Sequence, residues 1–173
     1  MIKLENICKS YDEKTVLDNI MAEFPDDSIT CIMGESGAGK TTLVRIIAGL
    51  ENADRGTVSG AGVVSFDFQE DRLINDISAA DNIMLVLDKN DFGGHDKKTM
   101  RKIINENLAE VLKDYPSDKS TGTYSGGMKR RVCLVRAMMK KSDTVILDEP
   151  FSALDYLTRV EMQEWLLEQW EHY

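Results

Sequence analysis

The stretch Gly34-Glu35-Ser36-Gly37-Ala38-Gly39-Lys40-Thr41 decides how this chain is read, because it satisfies G-x-x-x-x-G-K-[ST] at every fixed position. Glycines let backbone N–H groups curl around phosphate oxygens, and a helix opening near Lys40 aims its positive end at the same point. Lys40 supplies a point charge for β- and γ-phosphates, and the hydroxyl of Thr41, which Thr42 follows, suits a Mg²⁺ ion. The flanks agree with that reading. Ile29–Met33 is a compact apolar run, read as a strand, and Thr41–Leu50 puts Leu43, Ile46, Ile47 and Leu50 on one helical face. Strand, glycine loop and helix in that order are the setting a phosphate-binding loop requires.

Working outward, residues 1–30 alternate loosely around two turns, Tyr11-Asp12-Glu13-Lys14 and Pro25-Asp26-Asp27, which predicts two or three short strands. Val63–Phe68 is a further strand candidate. Residues 98–114 repeat apolar side chains at three- and four-residue steps (Met100, Ile103, Ile104, Leu108, Val111, Leu112), the mark of an amphipathic helix. Segment 70–125 therefore reads as a mainly helical insertion. Ser125–Lys140 reads as a helix capped by Ser125. Thr144–Leu147 is short and β-branched, as in a buried parallel strand, and a last helix occupies 156–170. Strands alternating with helices predict an α/β core in three layers.

Composition narrows the function. The chain has 173 residues, with 21 Lys+Arg against 30 Asp+Glu and a net charge of −9. Such a body is repelled by phosphate backbones, so no direct nucleic-acid partner is expected. The basic stretch Lys129, Arg130, Arg131, Arg136, Lys140, Lys141 is the local exception, and within it Lys129, Arg130 and Arg131 are read as a solvated helix face, with attraction to a partner's nucleotide as the second reading. The longest apolar run, Ile83–Leu87, is far short of the ~18 residues of a membrane span. The N-terminus lacks a secretion signal's apolar core. Three scattered cysteines, Cys8, Cys31 and Cys133, form no Cys-x-x-Cys pair, and all three are read structurally, Cys31 and Cys133 as small buried hydrophobes.

Two further motifs fall into place around the glycine loop. In Val145-Ile146-Leu147-Asp148-Glu149, Asp148 at a strand end can hold Mg²⁺, and Glu149 can take a proton from attacking water. An acidic pair after a strand is common in turns, and its weight here comes from the glycine loop. Tyr124-Ser125-Gly126-Gly127-Met128 opens a helix, so Ser125 and the following N–H groups form a second phosphate-binding surface. Alone, Ser-Gly-Gly is no more than a helix cap.

Together with Gln69 after strand 63–68 and Ser152-Ala153-Leu154-Asp155 after Pro150-Phe151, these motifs strongly resemble the ATP-binding cassette (ABC) ATPases across nearly the whole chain. In that family's terms Gly34–Thr42 resembles the Walker A loop, Gln69 the Q-loop glutamine and Tyr124–Met128 the signature. Asp148 resembles the Walker B aspartate, Glu149 the catalytic base and Ser152–Asp155 the D-loop. Tyr11 matches the aromatic residue that stacks on adenine, though it also reads as a surface tyrosine in a turn. The resemblance implies a P-loop NTPase of α/β class: an N-terminal antiparallel β subdomain, a parallel-sheet core and an inserted helical subdomain. It implies one domain over 1–173, with 1–69 as β subdomain and P-loop core, 70–125 as helical insertion and 126–173 as signature helix, Walker B strand and D-loop helix.

It also implies ATP and Mg²⁺ as cofactors, with Thr41, Gln69 and Asp148 near the metal. One chain cannot aim both glycine loops at one γ-phosphate. The resemblance therefore implies a homodimer or a paired ABC subunit, in which Ser125, Gly126, Gly127 and Met128 reach the partner's ATP. The expected function is the ATP-hydrolysing subunit of an ABC importer. It would sit in the cytoplasm, peripheral on the inner face of the membrane through permease subunits. A non-transport ABC ATPase and a catalytically weak regulatory module are the competing expectations.

Tyr124 stands where leucine is commonest and Met128 where glutamine is commonest, a variation found among importers resembling those for nitrate, taurine and aliphatic sulfonates. Family members carry a histidine on a strand after the 156–170 helix. This chain is expected to end before that strand, with slow turnover and a partly unstable last helix as the expected consequences. His95 reads as a solvated loop histidine, and His172 falls one element too early to substitute.

Overall fold

The computed structural model describes residues 1–113 and 115–172, with the side chain of His172 outside the described set. The chain divides into two compact units, Met1–Val64 with Ser142–Ile146, and Ser65–Lys141 with Leu147–Tyr173.

In the first unit, β1 (Ile2–Tyr11), β2 (Lys14–Phe24) and β3 (Arg55–Ser59) form an antiparallel sheet in the order β2-β1-β3. Tyr11 pairs with Lys14 across a hairpin whose first turn residue, Asp12, has φ 51°, a conformation that Asp tolerates better than most residues. Strict alternation along β1 is broken by a register shift between Leu4 and Ile7, and this lets both face the core. Across from that irregularity lies Gly56, where a Cβ would come within 2.4 Å of the Glu5 and Asn6 carbonyl oxygens. Leu4, Ile7, Leu17, Ile46, Ile47 and Ile146 make the buried apolar set of this unit. Helix α1 runs over Lys40–Ile47, as its periodicity predicts.

The strand expected over Ile29–Met33 is not formed: these residues join no sheet, Ile29 is 58% exposed and Met33 86% exposed. An apolar run becomes a strand only where a neighbour supplies a hydrogen-bond ladder, and the unit's own sheet closes with β2 and β3 at its edges. Cys31 is consequently exposed rather than buried, whereas Cys133 is buried as expected. Strand β3, with Thr57 and Val58 between two glycines, was not anticipated.

Strands β4 (Val64–Asp67) and β5 (Thr144–Leu147) pair with each other. The Thr144 N–H donates to Val63 O and the Asp148 N–H to Asp67 O, so the two strands run in the same direction.

The second unit is helical: α2 (Ala79–Met84), α3 (Lys97–Leu112), α4 (Gly126–Met139) and α5 (Tyr156–His172), with a short 3₁₀ turn at Thr121–Thr123. Each start has its cap. Ser78, Asp96 and Ser125 accept N–H bonds from Asp81, Thr99 and Met128 at the openings of α2, α3 and α4. The core gathers Ile83 from α2, Ile104 and Leu108 from α3, Val132 and Val135 from α4, and Trp165 from α5. Tyr124 is built in as a core residue: its ring meets Tyr115 edge-on at 5.0 Å and its hydroxyl donates to Pro116 O at 2.9 Å.

Candidate functional site

The glycine loop of the first unit is shaped by backbone conformations that side chains resist. Gly37 and Gly39 have φ 79° and 88°. At Gly39 a Cβ would also stand 2.9 Å from both Val16 Cγ1 and Leu17 Cδ2, so the loop can seat against β2 only with glycine there. Residues 34–38 are exposed. The Lys40 ammonium is folded back onto the loop, donating to the Gly34 and Glu35 carbonyls at 2.8 Å each. Those bonds hold the cation against the loop, directly where helix α1 opens. Thr41 and Thr42 follow in the first turn of α1, half-buried.

At the end of β1 in the same unit, Tyr11 is 45% exposed and its hydroxyl bonds the Glu51 carboxylate. Lys9 stands 5.4 Å from the ring centroid, within salt-bridge distance of Glu51 (3.5 Å) and Asp54 (3.3 Å), and donates to Asn52 O. The Ser10 N–H, foremost, and Lys9 hold the Asp54 carboxyl below its usual range. Tyr11 is thus an anchored ring with exposed surface, suited to stacking.

The second unit holds the acidic motif. Asp148, just past β5, is buried at 7% exposure, whereas Glu149 is exposed. Glu149 has φ 51°, a left-handed conformation that is costly for a long side chain. Its carbonyl accepts from the Ser152 N–H and hydroxyl, and its Oε2 accepts from Gln69 Nε2 at 3.0 Å. The fold therefore brings together Gln69 and Glu149, eighty residues apart. Asp155 caps α5 by accepting from the Thr158 hydroxyl, foremost, and the Thr158 N–H, which lower its pKa.

At the start of α4, the Ser125 hydroxyl accepts from the Met128 N–H at 3.2 Å. Around Gly126 a Cβ would meet nothing within 4 Å, so its face of the helix end is open. Gly127 packs closer, with Leu154 Cδ2 3.4 Å from where its Cβ would lie.

The basic face of α4 is not solvated as expected. Arg130 is 1% exposed. Its guanidinium pairs with buried Asp67 and donates to Phe68 O (2.6 Å), Pro150 O (2.9 Å) and Asp148 O (3.4 Å). Cys133 Sγ donates to Asp71 O, and Arg136 donates to Asp71 O and Arg72 O. Arg131 reaches back to Val111 O at the end of α3. Burial pushes the Asp67 carboxyl up to about 6 against the pull of Arg130, and pushes the Cys133 thiol up to about 12. One signal for this was present: an acidic residue inside the apolar run Val63–Phe68 needs a buried cation. Nothing in the sequence said which.

As metal donors, Thr41, Gln69 and Asp148 offer only oxygen, the type a hard Mg²⁺ prefers. Among the described residues no group of three or more His, Cys, Asp or Glu side chains could hold a metal.

Glycine loop, acidic strand end and signature helix on this fold define a nucleotide-binding cassette. The family model for ABC transporters matches residues 17–152, and the chain belongs to that family. It is 35% identical to a sulfate/thiosulfate import ATP-binding protein of Vibrio vulnificus over 95% of its own length, and 37% identical to an aliphatic sulfonates import ATP-binding protein of Burkholderia cenocepacia over 92%. The chain spans 51% and 60% of those two relatives. A dimeric ATP-binding cassette solved in a post-hydrolysis state with ADP and Pi superposes with a TM-score of 0.83 at 25% identity, covering 98% of this chain and 82% of that one. No described helix is long and apolar enough to cross a membrane.

Proposed function

We propose that this chain is the ATP-binding and ATP-hydrolysing cassette of an ABC importer, working as a dimer on the cytoplasmic face of permease subunits. The Gln69–Glu149 hydrogen bond carries the reading: it holds an exposed carboxylate in place next to an amide, so that a free carboxylate oxygen remains to take a proton from water. On this proposal Lys40 releases the Gly34 and Glu35 carbonyls to engage β- and γ-phosphates, the backbone N–H groups of 34–41 surround them, and Tyr11 stacks on adenine. Thr41, Asp148 and Gln69 would hold Mg²⁺. The chemistry such an ion would supply is neutralisation of the charge that builds on the phosphate oxygens. Glu149 accepts a proton from water as its oxygen attacks the γ-phosphorus and the β–γ bridging oxygen leaves with ADP.

Ser125, Gly126, Gly127 and Met128 would contact the ATP held by a second copy or a paired cassette. The names of the curated relatives favour an oxyanion, such as sulfate or a sulfonate, as the imported solute. The test is steady-state Mg-ATP hydrolysis against protein concentration, with Glu149→Gln as the blank. Activity that rises faster than linearly and vanishes in the blank is expected. ATP binding without turnover above the blank would instead favour a regulatory module.

A further inference from the structure

The buried arginine of α4 is the strongest feature of the second unit that the proposed function leaves unused. Arg130 lies one turn beyond the signature glycines, and all four of its partners belong to the two strand ends that present Gln69 and Glu149. Phe68 O, one residue before Gln69, takes one N–H. Asp148 O and Pro150 O, on either side of Glu149, take two more interactions. Asp67 fixes the guanidinium plane, and its other oxygen, Oδ1, has no hydrogen-bond partner among the described residues. A guanidinium suits this task because its N–H groups form a rigid planar fork, so three carbonyls and a carboxylate are held in one geometry.

The backbone around Glu149 needs such support. With φ 51° and an exposed side chain, Glu149 would relax toward ordinary backbone conformations unless its neighbours were held on both sides. Its carboxylate accepts from the amide of Gln69, which hangs from the strand end that Arg130 also grips.

We infer that Arg130, pinned by Asp67, is a positioning residue for the hydrolytic step: it sets the separation and orientation of Gln69 and Glu149 and ties both to the helix that carries the signature. This rests on the ATPase reading above. Arg130 touches neither nucleotide nor water, and it acts through the backbone on either side of Glu149. The basic residues beside it on α4 have different roles: Arg131 bonds to the end of α3, and Lys129 donates to Asn75 Oδ1.

The experiment compares the full chain with Asp67→Leu/Arg130→Met and with Arg130→Lys. Replacing a buried ion pair by apolar residues of similar volume commonly preserves folding, so the double variant removes the tethers without stranding a charge. Arg130→Lys keeps the pairing with Asp67 and loses the fork, and it serves if the double variant does not fold. Two readouts are taken on folded protein: kcat and KM for Mg-ATP, and the side-chain amide NMR resonances of Gln69, assigned with Gln69→Ala. The expected result is a kcat lowered about 10- to 100-fold, the size of effect a misplacement near 1 Å produces. KM should stay within about threefold, because Lys40 and its loop are untouched, and the Gln69 amide should move toward the position of a free glutamine.

A residue that only stabilises the fold would shift the melting temperature and neither of these readouts. A kcat within twofold of wild type, or an unmoved Gln69 resonance, overturns the inference. If the wild-type chain shows no hydrolysis above Glu149→Gln, the ATPase reading fails instead, and the Gln69 resonance alone decides whether Arg130 positions the pair.

Discussion

The glycine loop of the first unit and the acidic strand end of the second reach readiness by opposite means. The loop is exposed, built from backbone, and shaped by residues that lack side chains. Its cation, Lys40, rests on the loop's own carbonyls. The acidic end is held from inside by a buried ion pair and a fan of side-chain-to-carbonyl bonds, and it keeps Glu149 in a left-handed conformation. A short local motif can specify the first arrangement. The second depends on residues brought together across the chain: Asp67 meets Arg130 sixty-three positions away.

That contrast separates binding from turnover, and substitutions can break it. The largest expected effect is from Glu149→Gln, which should lower Mg-ATP hydrolysis by about 10²- to 10⁴-fold while ATP binding, followed by a fluorescent analogue, stays near wild type. Asp67→Ala strands the Arg130 charge and should cost about 3–5 kcal/mol in chemical unfolding, with Asp67→Leu/Arg130→Met close to neutral. Lys40→Met is the mirror case. It should weaken ATP binding by about 10- to 100-fold, the worth of a charge-assisted contact, and leave the unfolding midpoint unchanged.

Gly39→Ala should destabilise by about 1–3 kcal/mol, because φ 88° is strained for alanine and its Cβ would press on Val16 and Leu17. The smallest effect is at the exposed Arg101–Asp81 pair, where Arg101→Met should cost no more than about 0.5 kcal/mol. Arg101, first, and Ser78 hold the Asp81 carboxyl below its ordinary value of 3.8. Its contribution is therefore present above that pH and is lost as pH falls through the lowered folded value. The variant should differ from wild type at neutral pH and converge with it in acid.

What the sequence made legible follows the same division. The phosphate loop, α1, α3, α4 and β5 were readable because their signals are local: a motif, a 3.6-residue period, a cap at Ser125, a β-branched run. The Gln69–Glu149 hydrogen bond was not legible: the resemblance names each residue separately, and nothing local links residues so far apart. Ile29–Met33 misled because an apolar run states a preference for burial without naming a neighbour to pair with. Arg130 misled because a basic run on a helix is ordinarily solvated, and its partner lies in another element. β3 escaped notice because Gly56, required by the close approach of β1, hides a short Thr-Val strand.

Glu149 closes on a consequence for engineering. Its backbone occupies a region that glycine and asparagine enter at little cost. Replacement by either should relax that strain and give a better-tolerated, longer-lived protein. Libraries sorted for heat resistance or expression yield would thus enrich variants that have discarded the carboxylate, and the best-behaved clone would be the one that no longer works.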